Sequence, residues 1–272
     1  MLFHFLIILG CALLCVGLRS FPNFVAQKLA TLGILATSFL TGWLLTGHWT
    51  VGLFCALSWL LLPWLEILTR VRRLTLPVEK NLRRKSPPRA DVFPALGELT
   101  EEVELQQFES LEDCGWDSED SQQFFRLFYK AEDRTQAAVC MVEQDGLAFC
   151  YLSLSSRASD GKIWTTWDYP FTYSLKLVPE WKMNLVQAGK SFEELYESHR
   201  AFLRSNGVTP GSLLVLDPGE ISSEIQKDLR TQVEHNVEVG VLIQTASGEV
   251  RYSWRGLFFI WTQFLRDLLR PW

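Results

Sequence analysis

The chain has 272 residues, of which 48% are hydrophobic, and it carries 26 Lys and Arg against 31 Asp and Glu, a net charge of −5. This near balance hides a strong asymmetry. Residues 1–90 hold ten basic and two acidic side chains (net +8), whereas residues 91–272 hold 16 and 29 (net −13). Because phosphate backbones repel the acidic part, the composition argues against a nucleic-acid partner.

Three apolar runs occupy the first 69 residues. Residues 2–18 carry no charge, and residues 29–66 are uncharged up to Glu66, with an interruption only at 46–50. As one helix the second stretch would be roughly 57 Å long, nearly twice the ~30 Å hydrocarbon thickness of a bilayer. Backbone amides inside a bilayer need partners within their own helix. We therefore expect a hairpin at Gly47 and transmembrane spans at 2–18, 28–46 and 49–68.

Basic residues predict the orientation of these spans. The loop at 46–50 has no Lys or Arg, whereas Arg19 and Lys28 flank the first loop and eight basic residues lie between 70 and 89. Positively charged loops stay on the cytoplasmic side. The expectation is a multi-pass protein of the cell membrane, with its N-terminus outside and everything after Arg70 in the cytoplasm.

The first apolar run has a second interpretation, as a removed signal peptide or a peripheral segment. No Lys or Arg precedes it, and no small-x-small site precedes Arg19. Bulky Leu13 and Leu14 stand where a lipoprotein signal at Cys15 has small residues. These features favour three spans, although 17 residues is about the lower limit for crossing.

Residues 70–94 are predicted to form a basic juxtamembrane linker. Pro87 and Pro88 exclude helix around them and favour an extended path. The basic stretch 70–89 would attract anionic lipid headgroups, by on the order of 1 kcal/mol per cation near the surface. Alternatively, these cations only fix the topology.

A single cytoplasmic domain is expected at 95–255, a usual size for one hydrophobic core. A helix is predicted at 99–111, because its apolar residues recur at helical spacing. Five runs are rich in aromatic and β-branched residues and are predicted to be strands: 124–129, 136–142, 147–155, 162–167 and 171–178. Short turns, two of them Asp-Gly, join the first four as an antiparallel meander.

Two helices and a strand pair complete the predicted domain. Ser191 and Glu194 form a capping-box pattern that opens a helix ending before Gly207. A second helix begins after Pro218, and strands near 242–245 and 249–254 follow it. Because the order is not a βαβ alternation, we expect a membrane-anchored α+β protein with an antiparallel meander sheet and flanking helices.

The sequence contains little that predicts chemistry. The four His are isolated, and no His-x-x-x-His or Cys-x-x-Cys pair predicts a metal site. His199 shares a helix with three Glu, but a lone His on an apolar face is usually a packed or half-exposed side chain. There is no nucleophile elbow, phosphate-binding loop or dinucleotide fingerprint, so no catalytic residue, cofactor or metal is predicted.

The cysteines of the domain are expected to be free thiols. Cys140 and Cys150 lie on neighbouring predicted strands. They face each other if the loop at 144–146 has three residues. A two-residue turn pairs Cys140 with Tyr151 instead and directs the two thiols to opposite faces. The reducing cytoplasm favours free thiols in either arrangement.

Residues 164–181 form the densest aromatic run of the domain. One interpretation is that alternate members build a core wall of the sheet. The other is an apolar pocket or partner surface with polar fixtures, formed by Trp164, Thr166, Trp167, Asp168 and Tyr169.

Residues 256–272 are predicted to form an amphipathic helix. Arg266 and Arg270 lie opposite its apolar face. A helix that packs on the core would give the same pattern, but the large aromatics and the cations favour a membrane surface. The candidate membrane-surface face consists of Phe258, Trp261, Phe264, Leu265 and Leu268.

Two function classes are compatible with these features. The first is a non-catalytic interaction or scaffold module on the membrane, whose acidic surface meets a basic protein partner. The second is an enzyme or carrier for a lipid or other apolar substrate at the bilayer. A concave apolar pocket beside residues 164–168 would favour the second class, and a filled core would favour the first.

Overall fold

The computed structural model describes residues 2–21, 24–117, 121–144, 147–170, 173–186, 189–246 and 248–269. The chain divides into two compact units, one of Met1–Leu74 with Phe264–Trp272 and one of Thr75–Gln263. The second unit therefore begins well before residue 95, the predicted start of the domain.

All three apolar runs are helical. They form α1 (Leu2–Arg19), α2 (Phe24–Thr46) and α3 (Trp49–Thr69), and α2 packs against both of the others. The chain reverses at Gly47, whose φ of +74° is in the left-handed region that favours glycine. The predicted hairpin position is thus confirmed.

Small residues let these helices approach closely. A Cβ on Gly42 would lie 2.8 Å from the Gly52 Cα, and one on Gly33 would lie 2.6 Å from the Cys15 Sγ. The Trp59 Nε1 donates a hydrogen bond of 2.7 Å to the Ser38 Oγ and so ties α3 to α2. Glycine contacts and interhelical hydrogen bonds are typical of helices that associate without a hydrophobic driving force.

By length and composition, Lys28–Thr46 is the one helix of the described chain that suffices by itself to cross a bilayer. α3 and the turn after it form two helical segments, Trp49–Trp59 and Leu61–Arg73, with a bend of 42° between them. Taken together as one helix, the two segments would be a second possible span. Pro63 explains the bend, because it lacks the N–H that would bond to the Trp59 carbonyl. The apolar part of α1, Phe3–Arg19, is shorter.

The second unit is a mixed α+β structure with a mainly antiparallel sheet, as predicted. Seven strands pair in the order β2-β3-β4-β5-β6-β7-β8, and only β7 and β8 run parallel. A separate three-stranded antiparallel sheet has the order β1-β10-β9. The strands are β1 (Thr75–Leu76), β2 (Arg83–Arg84), β3 (Glu109–Asp117), β4 (Ser121–Lys130), β5 (Thr135–Gln144), β6 (Leu147–Arg157), β7 (Ile163–Trp167), β8 (Trp181–Leu185), β9 (Leu242–Gln244) and β10 (Val250–Tyr252).

Helices cover both faces of the large sheet. α4 (Leu96–Leu105) and α5 (Phe192–Ser205) pack on one face over Phe124, Phe128 and their neighbours. α6 (Ile221–Glu238) packs on the other face, where Ile221 and Ile225 contact Phe125 and Leu127. Burial of these large apolar side chains supplies most of the stability of such a domain. α7 (Trp254–Leu269) follows β10.

Two predicted elements have other bounds or another position in the structure. The helix expected at 99–111 ends at Leu105, because Gln107 adopts a left-handed φ of +64° and the chain turns into β3. The run 171–178 is irregular over its described residues from Tyr173, and the strand lies beyond Pro179 as β8. Residues 171 and 172 lie outside the described chain.

The predicted linker 70–94 contributes to both sheets. After a 3₁₀ turn at Val71–Arg73, β1 pairs with β10 and β2 pairs with β3. Phe93 is buried in the core below α4 and α5. Most of this segment is therefore part of the folded domain.

Candidate functional site

The predicted site residues 164–169 divide between the two faces of the sheet. Side chains of β7 alternate in direction, as in any strand. Trp164 and Thr166 contact side chains of α5, whereas Trp167 contacts Tyr151 on the opposite face. The structure brings Trp164 together with Thr166, and Trp167 together with Tyr169, but it separates the two pairs.

Trp164 fills space below α5. Its ring packs edge-on against Phe202 at 5.4 Å between centroids, and Leu203 and Leu213 complete the cluster. Only 7% of Trp164 is exposed. This half of the predicted site is therefore a core wall, the simpler of the two sequence interpretations.

A buried polar network surrounds His199 on α5. The His199 Nε2 lies 3.0 Å from the Ser156 Oγ, and its Nδ1 lies 3.0 Å from the Thr166 Oγ1. Ser156 is also 2.8 Å from the Thr135 Oγ1, and the Asn184 Nδ2 donates to Thr166 at 3.3 Å. The network links α5 to β5, β6, β7 and β8.

Burial lowers the pKa of His199 to about 4, while the charge of Asp133 raises this pKa slightly. The imidazole is therefore neutral near pH 7, with one ring nitrogen donating and the other accepting. A Ser–His contact is also part of many acyl-transfer sites. In such sites a carboxylate usually binds the second ring nitrogen and orients the ring. Here the Thr166 hydroxyl takes that position, and His199 is 0% exposed. The geometry favours a structural role.

Asp168 ends the pairing of β7 with β6. Its carboxylate Oδ1 accepts a 2.6 Å hydrogen bond from the Leu152 N–H, and its own N–H donates to the Leu152 carbonyl. Burial raises the pKa of the Asp168 carboxyl, and the Leu152 N–H opposes that change. The carboxylate thus substitutes for a backbone acceptor at the strand end.

A cluster of aromatic rings lies on the opposite face of the sheet, beside β6 and β7. Trp167 stacks on Tyr169 at 5.0 Å and on Tyr173 at 5.8 Å. Tyr151 stands perpendicular to both Trp167 and Tyr169, and Phe149 packs edge-on against Tyr169. Offset and edge-on contacts of this kind stabilise a packed surface. All five rings are half-buried.

A buried ion pair on this face was not predicted. The Arg157 guanidinium at the end of β6 makes a bidentate contact with the Asp228 carboxylate on α6, and Glu224 lies 3.8 Å away. Burial raises the pKa of Asp228, while Arg157 lowers it. The spacing of Glu224 and Asp228, four residues apart, was the available sequence signal, because it places both on one helix face.

The strand register decides between the two cysteine arrangements. Gln144 pairs with Leu147 and Cys140 pairs with Tyr151, which is the register of a two-residue turn; the turn residues 145–146 lie outside the described chain. Cys140 is buried and Cys150 is exposed on the other face. These two thiols are not placed to form a disulfide.

The predicted membrane-surface residues lie on α7. Phe258 is 53% exposed and Phe264 is 45% exposed, while Trp261 and Leu265 are half-buried. The side chain of Leu268 lies outside the described part of the chain. Trp254 at the start of the helix, which was not predicted to belong to this face, is 62% exposed.

Side-chain contacts hold residues 79–82, which precede β2, against α6 and β3. The Arg230 Nη1 donates to the Glu79 Oε1 at 3.1 Å, and the Leu82 N–H donates to the Gln226 Oε1 at 3.1 Å. The Lys80 Nζ lies 4.7 Å from the centroid of the Trp116 ring. Burial lowers the pKa of Lys80, and the cation–π contact partly offsets the loss of water.

An acidic surface lies on α4 and α5. α4 exposes Glu98, Glu101 and Glu104, and α5 exposes Glu193, Glu194 and Glu197. The Phe192 N–H donates a 2.9 Å hydrogen bond to the Glu102 carboxylate and so joins the two helices. The six exposed carboxylates therefore lie on neighbouring elements.

Within the described ranges, no three His, Cys, Asp or Glu side chains are grouped so that they could hold a metal ion. Comparison with protein-family models, curated proteins and solved structures finds no match for this chain.

Proposed function

We propose that this chain is a multi-pass membrane protein that holds an acidic, non-catalytic interaction domain at the cytoplasmic face of the membrane. The observation that carries the proposal is the apolar exterior of α1–α3. Only 11% of the most apolar part of α2, within Lys28–Thr46, is buried. Leu32, Leu45 and Phe54 are each more than 60% exposed. A core helix of a soluble protein would be buried, and an apolar surface of this extent requires a cover. A bilayer provides that cover.

The orientation rests on the positions of the cations. Arg70, Arg72 and Arg73 follow α3 at once, and the loop around Gly47 has no basic residue. Positively charged loops stay in the cytoplasm, so the proposed location of the α+β domain is the cytoplasm. The partner that best suits the domain is a basic protein segment, because α4 and α5 expose six carboxylates, of which Glu197 is paired with Arg200.

The alternative is an enzyme or carrier for an apolar substrate. It requires a cleft beside residues 164–168. Trp164 and Thr166 are instead buried below α5, and Asp168 is bonded to the backbone of β6. These contacts favour the interaction module.

Thiol labelling in intact cells tests the topology. In a Cys150→Ser background, an impermeant reagent should label His48→Cys in the hairpin loop and should leave Ser86→Cys unlabelled until the cells are opened. A reporter fused after Trp272 should also give a cytoplasmic signal. Labelling of Ser86→Cys in intact cells would overturn the orientation.

Binding of a fluorescent oligolysine peptide tests the acidic surface. The Glu98→Gln, Glu101→Gln, Glu104→Gln triple variant should bind the peptide several-fold more weakly than the wild type at low salt, since each exposed charge contributes up to about 1 kcal/mol. The matched control removes three exposed carboxylates elsewhere, by Glu180→Gln, Glu220→Gln and Glu238→Gln. Equal losses in both variants would indicate only a net-charge effect and would contradict a defined surface.

A further inference from the structure

The corner where β10 leads into α7 differs in charge from the rest of the domain. Trp254 and Phe258 are 62% and 53% exposed, and Arg251 and Arg255 are also exposed. From Val250 to Arg266 the chain has three Arg and no Asp or Glu, although residues 91–272 carry a net charge of −13. An apolar and basic corner on an acidic domain is complementary to an anionic, partly apolar surface.

The small sheet holds this corner in a fixed orientation. The Ser253 Oγ accepts a 3.0 Å hydrogen bond from the Gly256 N–H and donates to the Gly240 carbonyl at 2.5 Å. A Cβ on Gly256 would lie 2.1 Å from the Val241 carbonyl oxygen, and Leu257 is 1% exposed. Gly256 thus packs against Val241, next to β9, and Leu257 is buried, while Trp254 and Phe258, one turn apart, are exposed.

Strand pairing connects the same corner to the end of α3. Thr75 of β1 pairs with Arg251 of β10. α3 ends at Thr69, and the chain from Thr69 to Thr75 can span at most about 20 Å. The corner therefore pairs with the first strand that follows α3 in the chain. Arg70, Arg72 and Arg73 lie in the same short connection.

We infer that Arg251, Trp254, Arg255 and Phe258 form a second membrane contact, which binds the headgroup region of an anionic phospholipid bilayer. The inference rests on the proposed function, because it requires α1–α3 to anchor the chain. The two rings insert at the headgroup level, where amphipathic aromatics are most stable, and the two guanidinium groups bind lipid phosphates. This contact opposes the repulsion between the acidic domain and the anionic surface.

The test uses the full chain in nanodiscs of phosphatidylcholine, with or without phosphatidylserine, that contain headgroup nitroxide lipids. A fluorescent amino acid is incorporated at Phe258, at Leu105 or at Leu32 in separate samples. Leu105 on α4 is 79% exposed and serves as the control at an exposed apolar side chain outside the corner, and Leu32 on α2 reports insertion with acyl-chain nitroxides. We expect strong quenching at Leu32 and at Phe258, and little at Leu105.

The possible outcomes separate the two proposals. Quenching at Leu32 but no more at Phe258 than at Leu105 overturns the second contact and leaves the anchoring intact. Absence of quenching at Leu32 overturns the anchoring and the second contact together.

Charge variants test the lipid chemistry of the corner. Arg251→Gln with Arg255→Gln should weaken the phosphatidylserine-dependent part of the Phe258 quenching by about fivefold for each cation lost. Arg251→Lys with Arg255→Lys should retain most of that quenching. Quenching that is equal with and without phosphatidylserine, and equal in the Gln variant, would contradict an anionic lipid partner. Circular dichroism checks that each variant is folded.

Discussion

The helices α1–α3 and the α+β domain place the same kinds of side chain in opposite environments. Phe54 on α3 is 69% exposed, whereas Phe128 on β4 is 0% exposed. Conversely, His199, Ser156 and Thr166 are buried inside the domain and satisfy one another. A buried polar group is stable when it is hydrogen-bonded, whereas a large exposed apolar surface is stable only when something other than water covers it. This contrast supports the proposal that α1–α3 lie in a bilayer and the domain in water.

The largest expected effect comes from the removal of one phenylalanine ring from the core of the domain. Phe128→Ala should destabilise the domain by about 3–5 kcal/mol, because it leaves a cavity between β4 and the helices α4 and α5. The unfolding midpoint of the domain, measured by near-ultraviolet circular dichroism in nanodiscs, should fall by about 10 °C.

Phe54→Ala is the matched control. It should leave that midpoint unchanged and should keep the protein in the membrane fraction after alkaline washing, since lipid replaces the lost ring contacts. A comparable destabilisation by Phe54→Ala would show that α3 is packed against protein and would end the contrast between the two units.

Acid should destabilise the domain through His199. Its pKa is lowered to about 4 in the folded state, so the unfolded state binds the proton more readily below its ordinary pKa of about 6.5. The stabilisation is complete above pH 6.5 and is lost as the pH falls towards 4, by roughly 3 kcal/mol in total.

Urea unfolding at a series of pH values measures this loss. The variant His199→Gln cannot titrate, so its free energy of unfolding should fall less steeply between pH 6.5 and 4 than that of the wild type. Parallel pH profiles for the two proteins would show that other groups cause the acid sensitivity.

The ion pair on the α6 face should contribute less. Asp228→Asn leaves the Arg157 guanidinium buried with only Glu224 nearby, and we expect a loss of about 2 kcal/mol, below the usual range because Asp228 is partly exposed. Denaturant midpoints provide the measurement. The double variant Arg157→Met, Asp228→Leu should recover most of the loss, and a failure to recover would mean that the pair also fixes the position of α6.

The smallest effect concerns thiol reactivity and leaves stability unchanged. Cys150 is exposed, whereas burial raises the pKa of Cys140 and raises that of Cys114 to about 12. In native protein, Cys150 should react with an alkylating reagent at least about tenfold faster than the two buried thiols. Mass spectrometry after trapping should find all three reduced. A Cys140–Cys150 bridge would contradict both the register and the cytoplasmic location.

Local signals predicted the elements that depend on local contacts. Ser191 caps α5 as expected, with the Glu194 N–H donating to its hydroxyl and the Glu194 carboxylate accepting in return. Strands β4–β7 follow from alternating apolar residues and short turns. β3 was not predicted, because its sequence is rich in Glu and Asp, which are depleted in strands. Partners on the next strand stabilise it, such as Arg126, whose Nε donates a 2.8 Å hydrogen bond to the Asp113 Oδ1.

The contacts of the candidate site depend on strand register and on distant pairing, which a single sequence does not reveal. His199 was expected to be a packed or half-exposed side chain, and it is buried, with partners Ser156 and Thr166 that come from two different strands. β8 runs parallel to β7 after the connection 168–180, so its position follows from tertiary contacts and has no turn signal. The division of residues 164–169 between two faces follows directly from strand alternation once the bounds of β7 are known.

The pairing of β1 with β10 has a consequence for synthesis on the ribosome. The first strand of the domain cannot pair until a segment about 175 residues later in the chain has been synthesised, because Thr75 pairs with Arg251. Closing so long a loop is slow and is delayed until nearly the whole chain has been made. During this interval the small sheet stays open, so chains truncated before Val250 should be early substrates for chaperones and proteases.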